Sequence, residues 1–269
     1  MEFGMKVSII GAGNMGGAIA RGLSQGSMIK PSNIAISDVN EKNLDAIRAF
    51  NPSIACHMSN IDCVKGADLI ILAVKPWLVE RVVNEIIDGL NYNNQVILSI
   101  AAGVTLDSLQ QFFKDKNGDM PALFRVIPNT AIDVLESFSS IASWNTTDEQ
   151  DQQIVSIFNQ MGKAMLVPES QLNAYMSLAS CGIAYAFRYI RAAMEGGVEM
   201  GIYPNVAKDV VLQTLKGAVA LLEANGTHPE AEVDKVTTPG GITIKGLNEM
   251  EQAGFSAAVI RGLKASHLK

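Results

Sequence analysis

The chain has 269 residues, 48% of them hydrophobic and 18% charged, with a formal net charge of −6. That length supplies one large domain or two ordinary ones, each with its own core. The acidic balance and the lack of any basic run exclude a nucleic-acid-binding surface, which needs clustered Lys and Arg. Cys56, Cys63 and Cys181 show no metal-ligand spacing, so no metal site is expected. With no secretory signal they read as reduced thiols of a cytosolic protein. The opening run MEFGMKVSIIGAG has an apolar stretch too short to cross a bilayer and leads into a glycine-rich turn. It reads as a buried strand, not a targeting segment. No other stretch reaches the ~18 uninterrupted apolar residues of a membrane helix, so no membrane span is expected.

From residue 6 to 167, short β-rich runs alternate with helical patterns. Strands are predicted at KVSIIGAG (6–13), NIAISD (33–38), DLIILAV (68–74), QVILSIAAG (95–103), ALFRVIPN (122–129) and SSIASW (139–144). Helices are predicted at 14–25, 40–50, 76–89 and 105–114. The first, third and fourth runs are almost continuously apolar, as strands are when helices cover both faces of a parallel sheet. Such alternation builds βαβ units and a doubly wound, mostly parallel sheet.

From about Pro168 the pattern changes. Residues 169–200, 204–224 and 241–265 all read as helix, and PES (168–170) offers a proline and an N-cap serine as a helix start. A domain boundary is therefore expected near 167, with residues 1–167 forming an α/β domain and 168–269 an all-α domain. The first of these helices carries Leu172, Tyr175, Met176, Leu178, Ile183, Tyr185, Phe187, Ile190, Met194 and Val198 around more than one face. A helix that is apolar nearly all round must be buried. The helices after 168 offer little to bury it, so a second subunit is the expected cover; packing against its own chain alone is the alternative.

IIGAGNMGGAIARGL places Gly11, Gly13 and Gly16 in GxGxxG spacing, at the end of a strand and the opening of a helix. Gly11 permits the tight turn, Gly13 lets the backbone approach a pyrophosphate, and Gly16 allows close helix–strand packing. The N–H groups at the helix start, helped by the helix dipole, then meet the anion. The first domain is therefore a Rossmann-like dinucleotide-binding domain. Strand two ends at Asp38, about 20 residues beyond Gly16, where an acid suits the ribose 2′-OH of NAD. Val39, not Arg, follows it, while Asn40, Lys42 and Asn60 could meet a 2′-phosphate. Asp38 could equally be the N-cap of the next helix. NADPH and NADH both stay open as the cofactor. ILAVKPW (71–77), SIAAGV (99–104) and VIPNT (126–130) place further backbone at the strand ends that line the ligand crevice. Pro76 holds Lys75 out of the α-region, and Ala101, Ala102 and Gly103 leave room for a flat ring.

GxGNMG at 11–16, AVKP at 73–76, SIAAGV at 99–104, PNT at 128–130, HP at 228–229 and PGGxTI at 239–244 occur in this order. In this the chain resembles the pyrroline-5-carboxylate reductases, which carry out the last step of proline synthesis. The resemblance covers essentially the whole chain, and DKVTTPGGITIKGLNEMEQAGFSAAVI (234–260) is its most specific part. It implies hydride transfer from NADPH or NADH to the cyclic imine of 1-pyrroline-5-carboxylate. It also implies helical domains that interlock as a homodimer, often the unit of a larger ring. Carried onto this sequence, it places Gly11, Gly13, Asn14, Met15, Gly16, Asp38, Asn60, Ala73, Val74, Lys75, Pro76, Ala101 and Asn129 at the cofactor. The substrate falls to Thr238, Gly240, Gly241, Thr243, Cys181 and Gly182, with Thr243 as the catalytic hydroxyl.

The chemistry explains the TTPGGITI stretch. Pro239 suits the first position of a helix. Gly240 and Gly241 open the backbone N–H groups of the helix start to a carboxylate. Thr243 then brings a hydroxyl to the ring nitrogen, orienting it or relaying a proton from water. A plain cap, with Thr237 or Thr238 as N-cap, accounts for the proline but not for two glycines, each of which weakens a helix start by up to ~1 kcal/mol. In ASCGIAY (179–185), Cys181 and Ile183 stand where the family has serine and proline, and Ala131 stands where proline is usual. Cys181 reads as a small buried residue, Gly196, Gly197 and Gly201 as close helix contacts, and His228 as a loop position. A hydroxy-acid dehydrogenase on this plan needs a lysine base in the first long helix of the second domain, and LASCGIAYAFRYIRAAM has none. A non-catalytic cofactor sensor would need only the first set of motifs.

Overall fold

The computed structural model describes residues 4–113 and 119–267. Its chain-order elements are β1 (Val7–Ile10), α1 (Asn14–Gln25), β2 (Ile34–Ser37), α2 (Glu41–Phe50), β3 (Ala55–His57), α3 (Asn60–Cys63), β4 (Leu69–Leu72), α4 (Val79–Ile86), β5 (Val96–Ser99), α5 (Leu106–Phe112), β6 (Ala122–Ile127), β7 (Ser137–Trp144), α6 (Asp148–Asn159), β8 (Gly162–Leu166) and α7 (Leu172–Tyr175). There follow α8 (Gly182–Glu199), α9 (Pro204–Asn225), α10 (Pro229–Val236), α11 (Ile242–Gln252) and α12 (Phe255–Ala265). The chain divides into two compact units, residues 1–180 and 181–269.

The first unit is one sheet in the order β3-β2-β1-β4-β5-β6-β7-β8. Every neighbouring pair is parallel except β6 and β7. The exception follows from chain length: residues 128–136 hold no crossover helix, so β7 must return antiparallel to its predecessor. Side chains alternate between the faces as the pleat requires. Val7, Ile9, Leu69, Ile71, Leu98, Phe124 and Val126 pack under α1, α2 and α6. Ile10, Ile70, Leu72, Ile97, Leu123 and Ile127 pack under α4 and α5. Both faces are covered, which is why the central strands read as unbroken apolar runs.

Sequence periodicity missed β3 and β8 at the two sheet edges. ACH and GKAML carry partly exposed residues and no apolar run. It also missed α6, which a Thr147–Gln150 capping box starts and which buries Ile154, Ile157 and Phe158 at helical spacing. The end of the helix predicted over 105–114, at residue 114, lies outside the described residues.

Segment 168–180, which the sequence pattern groups with the helices, packs in the sheet unit. Val167, Leu172 and Met176 join the core beneath α4 and α5. The ring of Tyr175 stacks on Phe138 at 6.1 Å. The single helix predicted over 169–200 is instead a 3₁₀ turn (Glu169–Gln171), α7, a π-helical turn (Met176–Cys181) and α8. Pro168, not Ser170, stands at its N-cap.

The second unit is all helix among its described residues. The helix predicted over 241–265 breaks at Gly254, where φ is 85°. α10 went unpredicted; His228 caps it, its Nδ1 accepting the Glu230 N–H at 3.3 Å. Among the described residues of this unit, Gly197 and Ala207 alone are buried. A β-carbon on Gly197 would lie 3.2 Å from that of Ala207, so this glycine does mark a close helix contact, between α8 and α9. Gly196 faces open space, and Gly201 sits in a left-handed turn just beyond α8.

Candidate active site

The first cluster lies at the carboxyl ends of β2, β1, β4, β5 and β6, five adjacent strands. Gly11 follows β1 with φ 106°, and a β-carbon there would strike the Ala73 carbonyl oxygen at 2.5 Å. Gly16 is equally constrained: its β-carbon would meet the Gly11 oxygen and, at 2.8 Å, the Ala73 β-carbon. Gly13 is different. No protein atom lies within 4 Å of its absent β-carbon, and it caps α1 without a side-chain hydrogen bond. The fold therefore accounts for the first and third glycines, while the second leaves open backbone at a helix start, as pyrophosphate binding requires. Asn14 and Met15 open the same helix.

Asp38 is engaged by the protein. Its Oδ2 accepts the Ala12 N–H at 2.7 Å and the Asn43 amide at 3.1 Å, and its Oδ1 accepts the Asn40 N–H at 2.8 Å. It thus braces the glycine-rich turn from the next strand. The N-cap of α2 is Asn40, which accepts from Lys42 N at 3.2 Å. The N-cap reading of Asp38 is thereby corrected: the carboxylate sits two residues early and turns back toward β1. Asn60, considered as a phosphate donor, is likewise committed. It accepts from the Ser37 hydroxyl at 2.8 Å and donates to Glu85 Oε2 at 3.0 Å.

Beyond β4, Ala73 donates its N–H to the Ile10 carbonyl at 2.8 Å, and Val74 packs on the core. Lys75 is extended at φ −63° and ψ 147°, as a residue before proline should be, with Pro76 opening a 3₁₀ turn. Trp77 in that turn is 75% exposed. Ala101 is buried beyond β5, its N–H bonded to Ser99 Oγ at 3.2 Å. Asn129 is buried beyond β6; its side chain accepts from Ala131 N at 3.0 Å and its N–H donates to Ser137 Oγ at 3.1 Å. Ser180, at the end of the π-helical turn, donates to the Pro128 carbonyl at 2.8 Å. Sequence reasoning passed over Asn43, Glu85 and Ser180. The first had a signal, an amide in the first turn of the helix that follows a strand-end acid; the other two depend on contacts far apart in the chain.

The second cluster is the turn between α10 and α11. Gly241 N donates to the Thr238 carbonyl at 2.9 Å across Pro239 and Gly240. Proline at the second position and glycine at the third with φ 72° make this a type II turn. The α11 N-cap is Gly241, so Pro239 does not open the helix and neither Thr237 nor Thr238 caps it. The Thr237 hydroxyl instead donates back to the Val233 and Asp234 carbonyls at 3.2 Å. Local geometry alone accounts for both glycines. The turn demands positive φ at Gly240, and a β-carbon on Gly241 would lie 2.6 Å from Thr238 Oγ1. Gly241 has no side-chain cap to offer, and the first N–H groups of a helix have no partner within it. Thr243, in the first turn of α11, is exposed.

Cys181 and Gly182 open α8, on a different helix from Thr243. In the single chain α8 is tied to α12, through Tyr185 donating to the Gly262 carbonyl at 3.2 Å and Tyr189 meeting Phe255 edge-on at 6.3 Å. Cys181 and Cys56 are half-buried and Cys63 is buried, and all three are free thiols. Burial pushes the Cys63 thiol up to about 11. No metal-binding group of His, Cys, Asp and Glu occurs among the described residues, and none of their helices is long and apolar enough to cross a membrane.

Two segments of the chain match known protein families. A family model for pyrroline-5-carboxylate reductase dimerisation matches residues 169–269, and one for NADP oxidoreductases, coenzyme F420-dependent, matches residues 6–103. Pyrroline-5-carboxylate reductase 1 of Dictyostelium discoideum is 34% identical over 97% of this chain, which spans 48% of that longer protein. The pyrroline-5-carboxylate reductase of Methanosarcina acetivorans is 34% identical, over 96% of this chain and 94% of its own length. The crystal structure of Plasmodium falciparum pyrroline carboxylate reductase with NADP bound superposes with a TM-score of 0.88 at 26% identity, covering 99% of this chain and 97% of that one. On these likenesses, the Methanosarcina one spanning nearly the whole of both chains, the chain belongs to the pyrroline-5-carboxylate reductase family.

Proposed function

We propose that this protein reduces 1-pyrroline-5-carboxylate to L-proline with NADPH or NADH. The observation that carries the reading is the turn at Thr238–Gly241. It delivers an exposed helix start without a side-chain cap, followed by the exposed Thr243 hydroxyl. The backbone N–H groups there bind the substrate carboxylate without a buried cation. Thr243 orients the ring nitrogen and passes it a proton from water, since a threonine hydroxyl is too weak an acid to act alone. When bound, the reduced nicotinamide supplies the hydride that the imine carbon accepts. Gly13 and the start of α1 would hold the pyrophosphate, and the strand-end backbone at Ala73–Pro76, Ala101 and Asn129 would line the nicotinamide's path. Much of the rate of such a transfer comes from holding the reacting atoms close. Cys181, Gly182 and Thr238 complete the substrate contacts.

The family dimerisation segment makes the working unit a homodimer; assembly into a larger ring and residence in the cytosol belong to the proposal, the latter supported by three free thiols. Purified protein is expected to oxidise NADPH or NADH on addition of pyrroline-5-carboxylate. No turnover with either cofactor by folded protein overturns the reading. Thr243→Ala is expected to lower kcat/KM for the imine by roughly 10–1000-fold with cofactor affinity nearly unchanged; an unaltered kcat/KM would make Thr243 structural only.

A further inference from the structure

The rim beyond β2 carries more negative charge than the cofactor reading needs. Asp38 ends β2, and Glu41 opens α2. A third carboxylate, Glu85 of α4, is brought to the same rim by a chain of hydrogen bonds. The buried Ser37 hydroxyl donates to Asn60 Oδ1 at 2.8 Å, and the Asn60 amide donates to Glu85 Oε2 at 3.0 Å. Asn60 therefore has its amide donor turned to a carboxylate, where a phosphate would otherwise be met. Asp38 is held in place by three donors. The residue after Asp38 is Val39, 81% exposed, where NADP-binding sheets place an arginine. Lys42 is the cation at the start of α2, and Glu41 stands beside it. In a GxGxxG domain this rim receives the adenosine ribose. The 2′-phosphate that distinguishes NADPH from NADH adds up to about two negative charges at neutral pH, as phosphate monoesters do.

We infer that this chain binds NADH in preference to NADPH, and that Glu85, oriented by Asn60 and Ser37, is a residue that sets the preference. The inference rests on the reductase reading for its cofactor class. Repulsion acts against the phosphate alone, because the ribose hydroxyls of NADH bring no charge. Since the rim is open to solvent, the effect is screened by salt.

The test is a titration of the protein with NADH and with NADPH in the absence of imine, followed by nucleotide and tryptophan fluorescence at ~20 mM and ~200 mM salt. NADH is expected to bind about tenfold or more tightly at low salt, with the gap narrowing at high salt, as repulsion between exposed charges dictates. Glu85→Gln should bring the ratio of the two dissociation constants toward one, and Glu85→Lys should carry it further. Glu85 is exposed, so both variants are expected to keep the parent's thermal midpoint, which is measured alongside. Equal or tighter binding of NADPH overturns the inference, as does a ratio that neither substitution moves. If imine turnover is intact in that case, the reductase reading stands; if neither nucleotide binds, both fall.

Discussion

The sheet unit and the helical unit use the same apolar residue types to opposite ends. In the first, both faces of the sheet are closed by helices of the same chain, and Phe124, Phe158 and the isoleucines of β1 and β4 are fully enclosed. In the second, Phe187, Val210, Leu212, Val219, Leu221 and Ile260 are between 45% and 59% exposed. A folded chain seldom leaves so many large apolar side chains open unless another molecule covers them. The segment that does so lies within the stretch matching the family's dimerisation model. One unit thus completes its core within the chain, and the other completes it by association.

The largest expected effect breaks this comparison directly. Phe187→Asp on α8 or Leu212→Asp on α9 should convert the dimer to monomer in sedimentation experiments. Each such side chain contributes about 1.5–3 kcal/mol when buried, and a twofold interface counts each change twice. A variant that stays dimeric would place those faces outside the interface.

The next prediction sharpens where the self-contained unit ends. Arg125 of β6 is 3% exposed, its Nη1 lies 3.2 Å from Glu169 Oε1, and its Nε has no partner. Glu169 also accepts the Leu106 N–H at the start of α5. Glu169→Ala strands a buried guanidinium. It should cost about 2–3 kcal/mol in urea unfolding, less than for a fully buried pair because the Glu169 side chain is 30% exposed. Arg125→Met with Glu169→Leu should recover most of that loss. If Glu169→Ala is neutral, segment 168–180 is not fastened to the sheet unit as described.

Within the sheet unit, the two flanking roles of the glycine-rich turn separate cleanly. Gly16→Ala pushes a methyl into the Gly11 carbonyl and should cost about 1–3 kcal/mol. Gly13→Ala meets open space, so the thermal midpoint should hold while dinucleotide affinity, measured by calorimetry, falls about tenfold or more, a loss of ~1.4 kcal/mol. A Gly13→Ala protein with full affinity would remove the pyrophosphate from this turn.

The smallest effect concerns a polar tie in the helical unit. Lys235, then Thr227 and Asn225, hold the Glu232 carboxyl down to about 2. A depressed carboxylate contributes its stability above its unfolded value and loses it as pH falls from the ordinary carboxylate range through about 2. NMR titration of Glu232 should show a midpoint near 2, moving upward in Lys235→Ala. A midpoint in the ordinary carboxylate range would show that these bonds do not persist in solution.

Much of the site was legible because it is written in short contiguous runs. Spacing in 11–16 placed the glycine-rich turn between β1 and α1, and the residues after β4, β5 and β6 fall along one sheet edge. The TTPGGITI stretch was located but misjudged in detail. Reading Pro239 as a helix start overlooked that proline followed by glycine makes a type II turn first, which delays α11 to Ile242. The edge strands β3 and β8 carried too little apolar periodicity to stand out.

The sequence by itself determined the doubly wound sheet, the glycine-rich turn, and the surplus of apolar surface in the helical part, because each depends on periodicity or on residue types within a few positions. Only the tertiary structure decided that residues 168–180 belong with the sheet. It also decided that Asp38 braces the Ala12 N–H and that Asn60 turns its amide to Glu85. Those facts join residues far apart in the chain, and which lone pair meets which donor is fixed by packing, not by local propensity.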